Sequence, residues 1–315
     1  MKNRRSFIIG VKSTKLSQKE KKFLKKYKPW GVILFTRNIL NLEQASKLTS
    51  SIRKIFNDIN YPILIDQEGG RINRLENIIS FKNLTAEFFG KKYCKNFNEF
   101  KIYFKLFIDK TSFLLNRIGV NINTVPVLDL RVNKASKIIG DRSFSRNPKI
   151  VSKIGDLCIQ YFQENKIGSI IKHIPGHGLA KVDSHKYTPI VNKKLDYLMK
   201  NDFSTFKKKK SFFAMTAHIV FSKIDIDNTV THSKKLIKLI RKKIGFKNVI
   251  ISDDLSMKSL KGSIKENTIK TFKAGCNLAL HCNGNQKEME IVAKNSPLIN
   301  NFIIQKTSQF YKILR

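Results

Sequence analysis

The sequence predicts a single (β/α)8 barrel of the TIM type spanning residues 1–315. Three observations carry this. Eight short runs rich in Ile, Val, Leu and Phe recur along the chain, separated by helix-like segments. Most runs are apolar at every position instead of alternating, which is how parallel strands buried on both faces read. The chain has 315 residues, enough for eight such units and too few for a second domain beside them. A doubly wound open sheet is the alternative arrangement of the same pattern.

The expected strands, in order, are FIIGV at 7–11, GVILFT at 31–36, PILID at 62–66, NINTVPVL at 121–128, SIIKH at 169–173, FFAMTAH at 212–218, NVIISD at 248–253 and NLALH at 277–281. Helical spacing fills the gaps, for example at 42–56, 100–117, 149–165 and 195–208. In SKKLIKLIRKKIGF at 233–246, Leu236, Ile237, Ile240 and Ile244 form one apolar stripe and basic residues take the other face. The tetralysine at 207–210 is expected to end a helix, where cations suit the macrodipole. Gly119, Gly168, Gly245 and Gly275 stand where helices should stop. No linker, repeat or low-complexity tract interrupts the pattern.

Lys and Arg number 61 against 23 Asp and Glu, a formal charge of +38. That total invites a nucleic-acid partner, but its make-up argues otherwise. Arg, the fork-shaped reader of phosphates and bases, supplies only 12 of the 61. Ile is abundant and Ala scarce, so A+T-rich codon usage yields this composition without any binding function. No basic block with interleaved aromatics and no zinc-finger spacing occurs, and no specific nucleic-acid partner is expected. A hydrophobic content of 41% excludes a disordered polycation.

The basic start is followed by a five-residue apolar run, shorter than the ~7–15 of a signal-peptide core. No run approaches the ~20 residues of a transmembrane helix. Cys94, Cys158, Cys276 and Cys282 form no CxxC pair and read as reduced core residues. A cytoplasmic, monomeric protein without a membrane partner is expected.

Polar groups recur where the apolar runs end: Asp66, Asp129, Lys172 with His173, His218, and Asp253 with Asp254. One Asp after a strand is commonly a cap or turn former. Several at equivalent ends mark the C-terminal face of a barrel, where such enzymes place their active sites. In KHIPGHGLAKVDSHKYTP at 172–189, Asp183 and His185 are close enough for the carboxylate to fix the imidazole's tautomer and raise its basicity. The same His–His–Asp grouping could instead bind a metal, although its ligand spacing is loose and Lys172 is an unwanted cation. In VIISDDLSM at 249–257, a carboxylate facing that dyad suits two-step displacement at a sugar carbon. In IDQEGGRINRL at 65–75, Gly69–Gly70 permits a tight turn beside Asp66, Arg71 and Arg74. It lacks the GxGxxG and Walker patterns of phosphate loops.

Together with GVILFTRNI at Gly31, IGDRSF at Ile139, MTAH at Met215 and AGCNLAL at Ala274, these stretches resemble glycoside hydrolase family 3. Within it they are most similar to the bacterial cytoplasmic β-N-acetylhexosaminidases of cell-wall recycling. The resemblance implies a (β/α)8 barrel and a retaining mechanism. Its substrate would be a muropeptide or disaccharide ending in N-acetylglucosamine. It implies Asp253 as nucleophile, His185 as acid/base and Asp183 as the group orienting His185. Asp66, Arg74, Arg142, Lys172 and His173 would bind the sugar, and Asp254 would be a structural partner. No cofactor and no metal are implied. The chain departs from the pattern at Ile174, where Phe is usual, and at Asn277, where Asp is common. Transfer to phosphate instead of water remains open on the same residues.

Overall fold

Eight strands close into a barrel, each overlapping one of the apolar runs. They are β1 (Arg5–Gly10), β2 (Pro29–Leu34), β3 (Ile63–Ile65), β4 (Ile122–Asn123), β5 (Gly168–Ile174), β6 (Phe213–Thr216), β7 (Val249–Asp254) and β8 (Leu278–His281). The computed structural model describes residues 1–132, 138–184 and 186–315. The strands follow one another around the barrel in chain order, β8 returning to β1, and every neighbouring pair is parallel.

Helices α1 (Gln18–Tyr27), α2 (Leu42–Phe56), α3 (Ala86–Lys95), α4 (Phe97–Arg117), α5 (Pro148–Glu164), α6 (Leu195–Lys200), α7 (Lys234–Leu239), α8 (Ile264–Ala274), α9 (Gln286–Asn295) and α10 (Asn301–Ile313) connect and cover the strands. Their ends have local causes. Ser17 and Ser263 form reciprocal capping boxes with Glu20 and Glu266. Gly275 ends α8 at φ +108°, a conformation that costs a residue with a Cβ far more.

The apolar runs lack alternation because both strand faces are buried. Ile8, Ile33, Leu64, Ile122, Ile170 and Ile251 belong to the cluster inside the barrel. Phe7, Ile9, Ile63, Ile171 and Ile250 pack outward against the helices. At the strands' N-terminal end, α10 forms a floor. Phe310 lies edge-on to Phe213 with centroids 5.4 Å apart, and Trp30 Nε1 donates to Thr307 Oγ1 at 2.9 Å. The polar strand ends therefore lie at the opposite mouth.

Several local expectations are corrected. The fourth strand pairs only over Ile122–Asn123. Pro126 has no amide hydrogen to donate, and Val127 meets Lys172 only as an isolated bridge. Gly168 opens β5 instead of ending a helix, because a Cβ there would lie 2.6 Å from the Phe310 ring. The helix expected over 195–208 stops at Lys200 and gives way to a 3-10 turn, Asp202–Phe206. The lysines at 207–210 lie beyond it. Lys209 is buried, donating to Ser152 Oγ at 2.6 Å and Asp156 at 3.0 Å. The segment over 233–246 divides into α7 and a wider π turn, Ile240–Ile244, with its apolar stripe buried as expected. Cys94 is exposed, while Cys158 and Cys276 are buried.

Candidate active site

A cavity of about 630 Å³, open to solvent, occupies the mouth of the barrel. Asp66, Arg74, Arg142, Lys172, His173 and Asp253 all line it, so six of the eight expected site residues share one cavity. Ile33, Met215 and Leu280 supply apolar wall.

Asp66 follows β3 directly. Asn123 locks the next residue in place: its Oδ1 accepts the Gln67 amide at 3.0 Å and its Nδ2 donates to the Gln67 carbonyl at 2.8 Å. Gly69 and Gly70 then turn at φ +93° and +56°, bringing Arg74 back over the strand end. Arg74 Nη2 donates to Asp66 Oδ2 at 3.0 Å. Thr124 Oγ1 donates to Asp66 Oδ1 at 2.5 Å, and the Lys172 ammonium pairs with that oxygen too. Lys172 also reaches Glu68 Oε1 at 2.5 Å, and Arg142 grips both Glu68 oxygens at 2.8 Å. Arg74, Asp66, Lys172, Glu68 and Arg142 thus form one chain of alternating charge. Such fork-on-carboxylate contacts fix orientation as well as charge. Burial alone would push the Asp66 and Glu68 carboxyls up. The charges of Lys172, Arg74 and Arg142 reverse this for Asp66, and those of Arg142 and Lys172 for Glu68. Both are held below the usual carboxylate range and act as acceptors. Arg71, expected near the site, instead ties the 138–141 segment, donating to Asp141 at 3.1 Å and to the Ile138 carbonyl at 2.6 Å.

Lys172 and His173 are successive residues, which a regular strand would point to opposite faces. Here both line the cavity, and the β5–β6 pairing shifts register between Lys172 and Ile174. Asp129 holds the segment from behind. It accepts His173 Nδ1–H at 2.6 Å and the His177 amide at 2.6 Å. That bond leaves Nε2 of His173 for the cavity. Burial opposes the Asp129 charge, but His173 and these bonds lower its pKa. His177 Nε2 pairs with Ser184 Oγ at 3.0 Å, and burial, then His173, push it down to about 4. It is therefore neutral at pH 7. Among the described residues, no three His, Cys, Asp or Glu are grouped to hold a metal.

Asp183 is half-buried, and its carbonyl accepts the amides of Lys186 and Tyr187 at 3.0 and 2.9 Å. His185 lies outside the described residues. On β7 the paired carboxylates divide their work. Asp253 faces the cavity, its Oδ1 accepting the Asp254 amide at 2.8 Å. Asp254 turns to structure. It accepts the amides of Ser256 and Cys282, both at 3.1 Å, and the Ser256 hydroxyl at 2.7 Å. His218 donates from Nε2 to the Asp254 carbonyl at 3.0 Å and anchors the strand end. The two departures from the family pattern are also structural. Ile174 is buried, and Asn277 Oδ1 accepts from Arg241 at 2.7 Å and from the Ile250 amide at 2.8 Å.

Sequence reasoning missed Glu68, Thr124 and Asp202, and gave Asp129 no role. Glu68 lies within the DQEGG stretch, but its pairing with Arg142 is non-local. Asp202 sits beneath the loop after β5, where a Cβ on Gly176 would come 2.7 Å from its own Cβ. Its Oδ1 has no hydrogen-bond partner among the described residues. Burial, then the Asp129 charge, push this carboxyl up to about 7. An unfolded Asp releases its proton near pH ~3.9. The folded chain therefore retains a proton that the unfolded chain has lost. Stability should be fully present below pH ~4 and fall as pH rises towards 7, by up to ~4 kcal/mol. Asp202→Asn should flatten that decline in denaturant midpoints measured between about pH 4 and pH 8. An unchanged slope would remove Asp202 as its source.

Residues 6–309 match the N-terminal domain of glycosyl hydrolase family 3. A β-hexosaminidase of Actinobacillus pleuropneumoniae is 33% identical over 288 residues, covering 88% of this chain and 80% of that protein. One from Neisseria gonorrhoeae is 32% identical over 286 residues, covering 88% and 77%. The solved structure of NagZ from Neisseria gonorrhoeae in complex with N-trifluoroacetyl-D-glucosamine superposes with a TM-score of 0.86 at 28% identity, covering 99% of this chain and 90% of that one. The barrel, the charged cavity at its mouth and these similarities agree: the chain belongs to glycosyl hydrolase family 3 and is a glycosidase.

Proposed function

We propose that the protein is a retaining β-N-acetylglucosaminidase. It removes terminal β-linked N-acetylglucosamine from peptidoglycan fragments, such as the disaccharide with anhydro-N-acetylmuramic acid, with or without peptide. The observation that carries this reading is the placement of Asp253 in one cavity with the Arg74–Asp66–Lys172–Glu68–Arg142 chain and His173. A carboxylate there can reach the anomeric carbon of a sugar whose ring hydroxyls are held by fixed donors and acceptors. The β-hexosaminidases among its relatives support the choice of glycone.

In the first step an Asp253 oxygen attacks the anomeric carbon, and His185 protonates the departing glycosidic oxygen as that bond breaks. In the second, His185 takes a proton from water. The water oxygen attacks the same carbon and the ester to Asp253 breaks. Asp183 orients the imidazole and stabilises its charged form. A His suits this part because its unperturbed pKa of ~6.5 lies near neutrality. We take the working unit to be a monomer. The four cysteines are free thiols, which suits a reducing cytoplasm.

The test is hydrolysis of an aryl β-N-acetylglucosaminide beside the matching aryl β-glucoside. A site built around the N-acetyl group should favour the first by at least ~100-fold in kcat/KM. Equal rates would defeat the glycone assignment. Phosphate-dependent release of sugar-1-phosphate in the same assay would replace water by phosphate as acceptor.

A further inference from the structure

The outer face of α4 carries three large apolar side chains, where an outer barrel helix is ordinarily polar. Ile102, Leu106 and Phe113 are 68%, 63% and 57% exposed. At about 100° per residue they fall within ~40° of one another, and over the helix rise they span ~16 Å. The opposite face, with Phe100, Phe104, Phe107 and Ile108, is buried in the core. Exposed apolar residues scattered singly need no explanation, and Leu40, Ile59, Ile226 and Leu298 are of that kind, each outside any helix or strand. The α4 group is different because its three members share one helix face, interrupted only by Asp109, whose charge Lys105 meets at 3.0 Å.

Basic residues border this line. Lys101 and Lys105 lie on one flank, and Lys110 and Arg117 on the other. The neighbouring α3 adds Lys92 and Lys95. The Lys92 ammonium sits 4.3 Å above the Tyr103 ring, and that of Lys110 5.9 Å from Phe113. Glu99 and Asp109 are engaged by Lys92 and Lys105, at 3.1 and 3.0 Å. Lys95, Lys101, Lys110 and Arg117 have no carboxylate partner among the described residues.

We infer that this face of α4 docks on an anionic lipid bilayer surface. The apolar line enters the boundary between headgroups and acyl chains, and the flanking cations meet the headgroup charge. Charge decides between occupants. A second copy would set the same lysine-bordered face against itself in a chain of net charge +38, which is repulsive. A nucleic acid would answer the lysines and leave Ile102, Leu106 and Phe113 exposed. A bilayer surface satisfies both. The absence of a membrane partner expected from sequence rested on the lack of a spanning segment, and lying on a surface requires none. No helix among the described residues is long and apolar enough to cross a membrane.

The test is co-sedimentation with vesicles of equimolar phosphatidylglycerol and phosphatidylcholine, beside vesicles of phosphatidylcholine alone. The protein should sediment with the first and not the second. The triple variant Ile102→Gln, Leu106→Gln, Phe113→Gln keeps the net charge and leaves the cavity untouched. It should bind at least ~10-fold more weakly while its unfolding midpoint and aryl-glycoside turnover stay at the wild-type level. Binding unchanged in the triple variant would reduce the attraction to bulk charge and overturn the proposal. So would failure of the wild type to sediment with anionic vesicles. A wild-type dimer that the triple variant dissociates, seen by analytical ultracentrifugation, would give the face to a second copy instead.

Discussion

Asp253→Ala should lose turnover by a factor on the order of 10⁴ to 10⁶, while folding as the wild type does. The residue faces the cavity. Its Oδ1 accepts the amide of its own neighbour, Asp254, a local bond that joins no separate elements. The turn after β7 is held by Asp254, through Ser256 and Cys282. Removing the Asp253 carboxylate would delete the oxygen proposed to attack and leave the bonds of Asp254 in place. The measurement is kcat on an aryl β-N-acetylglucosaminide, with the thermal midpoint recorded on the same preparation. Sustained wild-type turnover would remove Asp253 as nucleophile. A collapsed midpoint would show that the fold depends on this carboxylate as well.

The second large effect belongs to His185→Ala, and its size should depend on the leaving group. A disaccharide departs as a poorly stabilised alkoxide and needs the proton. General acid catalysis of that step is worth about 10² to 10⁴. An activated aryl glycoside departs as a phenolate and scarcely needs it. The loss in kcat/KM, which reports the first step, should therefore approach that range for the disaccharide and be less than ~10-fold for the activated substrate. The second step still wants a base, so kcat should fall on both. Equal losses in kcat/KM would argue against the acid role.

Much of the fold was legible because burial on two faces leaves a plain mark. Each of the eight apolar runs became a barrel strand, as β1 and β7 illustrate. The lining of the cavity was legible wherever a polar group ended such a run, as Asp66, Lys172, His173 and Asp253 do. What remained hidden depended on pairing across the chain. Glu68 reads as one acid among others until Arg142 closes on it from a distant segment. Asp202 sits in a 3-10 turn with no periodicity to expose it. Gly168 was misread because a glycine that ends a helix and one that admits an aromatic ring look alike in sequence. The fourth strand was overlong because Pro126 interrupts pairing inside an apolar run.

The charge of +38 separates into three kinds. Arg74, Arg142 and Lys172 serve the cavity, in pairs with Asp66 and Glu68. Lys209 is turned inward against α5. Arg4 is buried too, paired with Asp58 at 2.6 Å, and most other described lysines are exposed, where their role is collective and salt-sensitive.

The proposed mechanism stands on a covalent bond between Asp253 and the sugar, and that bond can be trapped. A ring-fluorinated N-acetylglucosaminyl fluoride carries a good leaving group, which favours the first step. Its ring fluorine disfavours the oxocarbenium-like transition state of the second, so the intermediate should accumulate. After acid quenching and proteolysis, mass spectrometry should find the fluorinated N-acetylhexosamine residue on the peptide containing Asp253, with fragmentation placing it on that side chain. An adduct on a different residue, or a product of inverted anomeric configuration with no adduct, would overturn the mechanism.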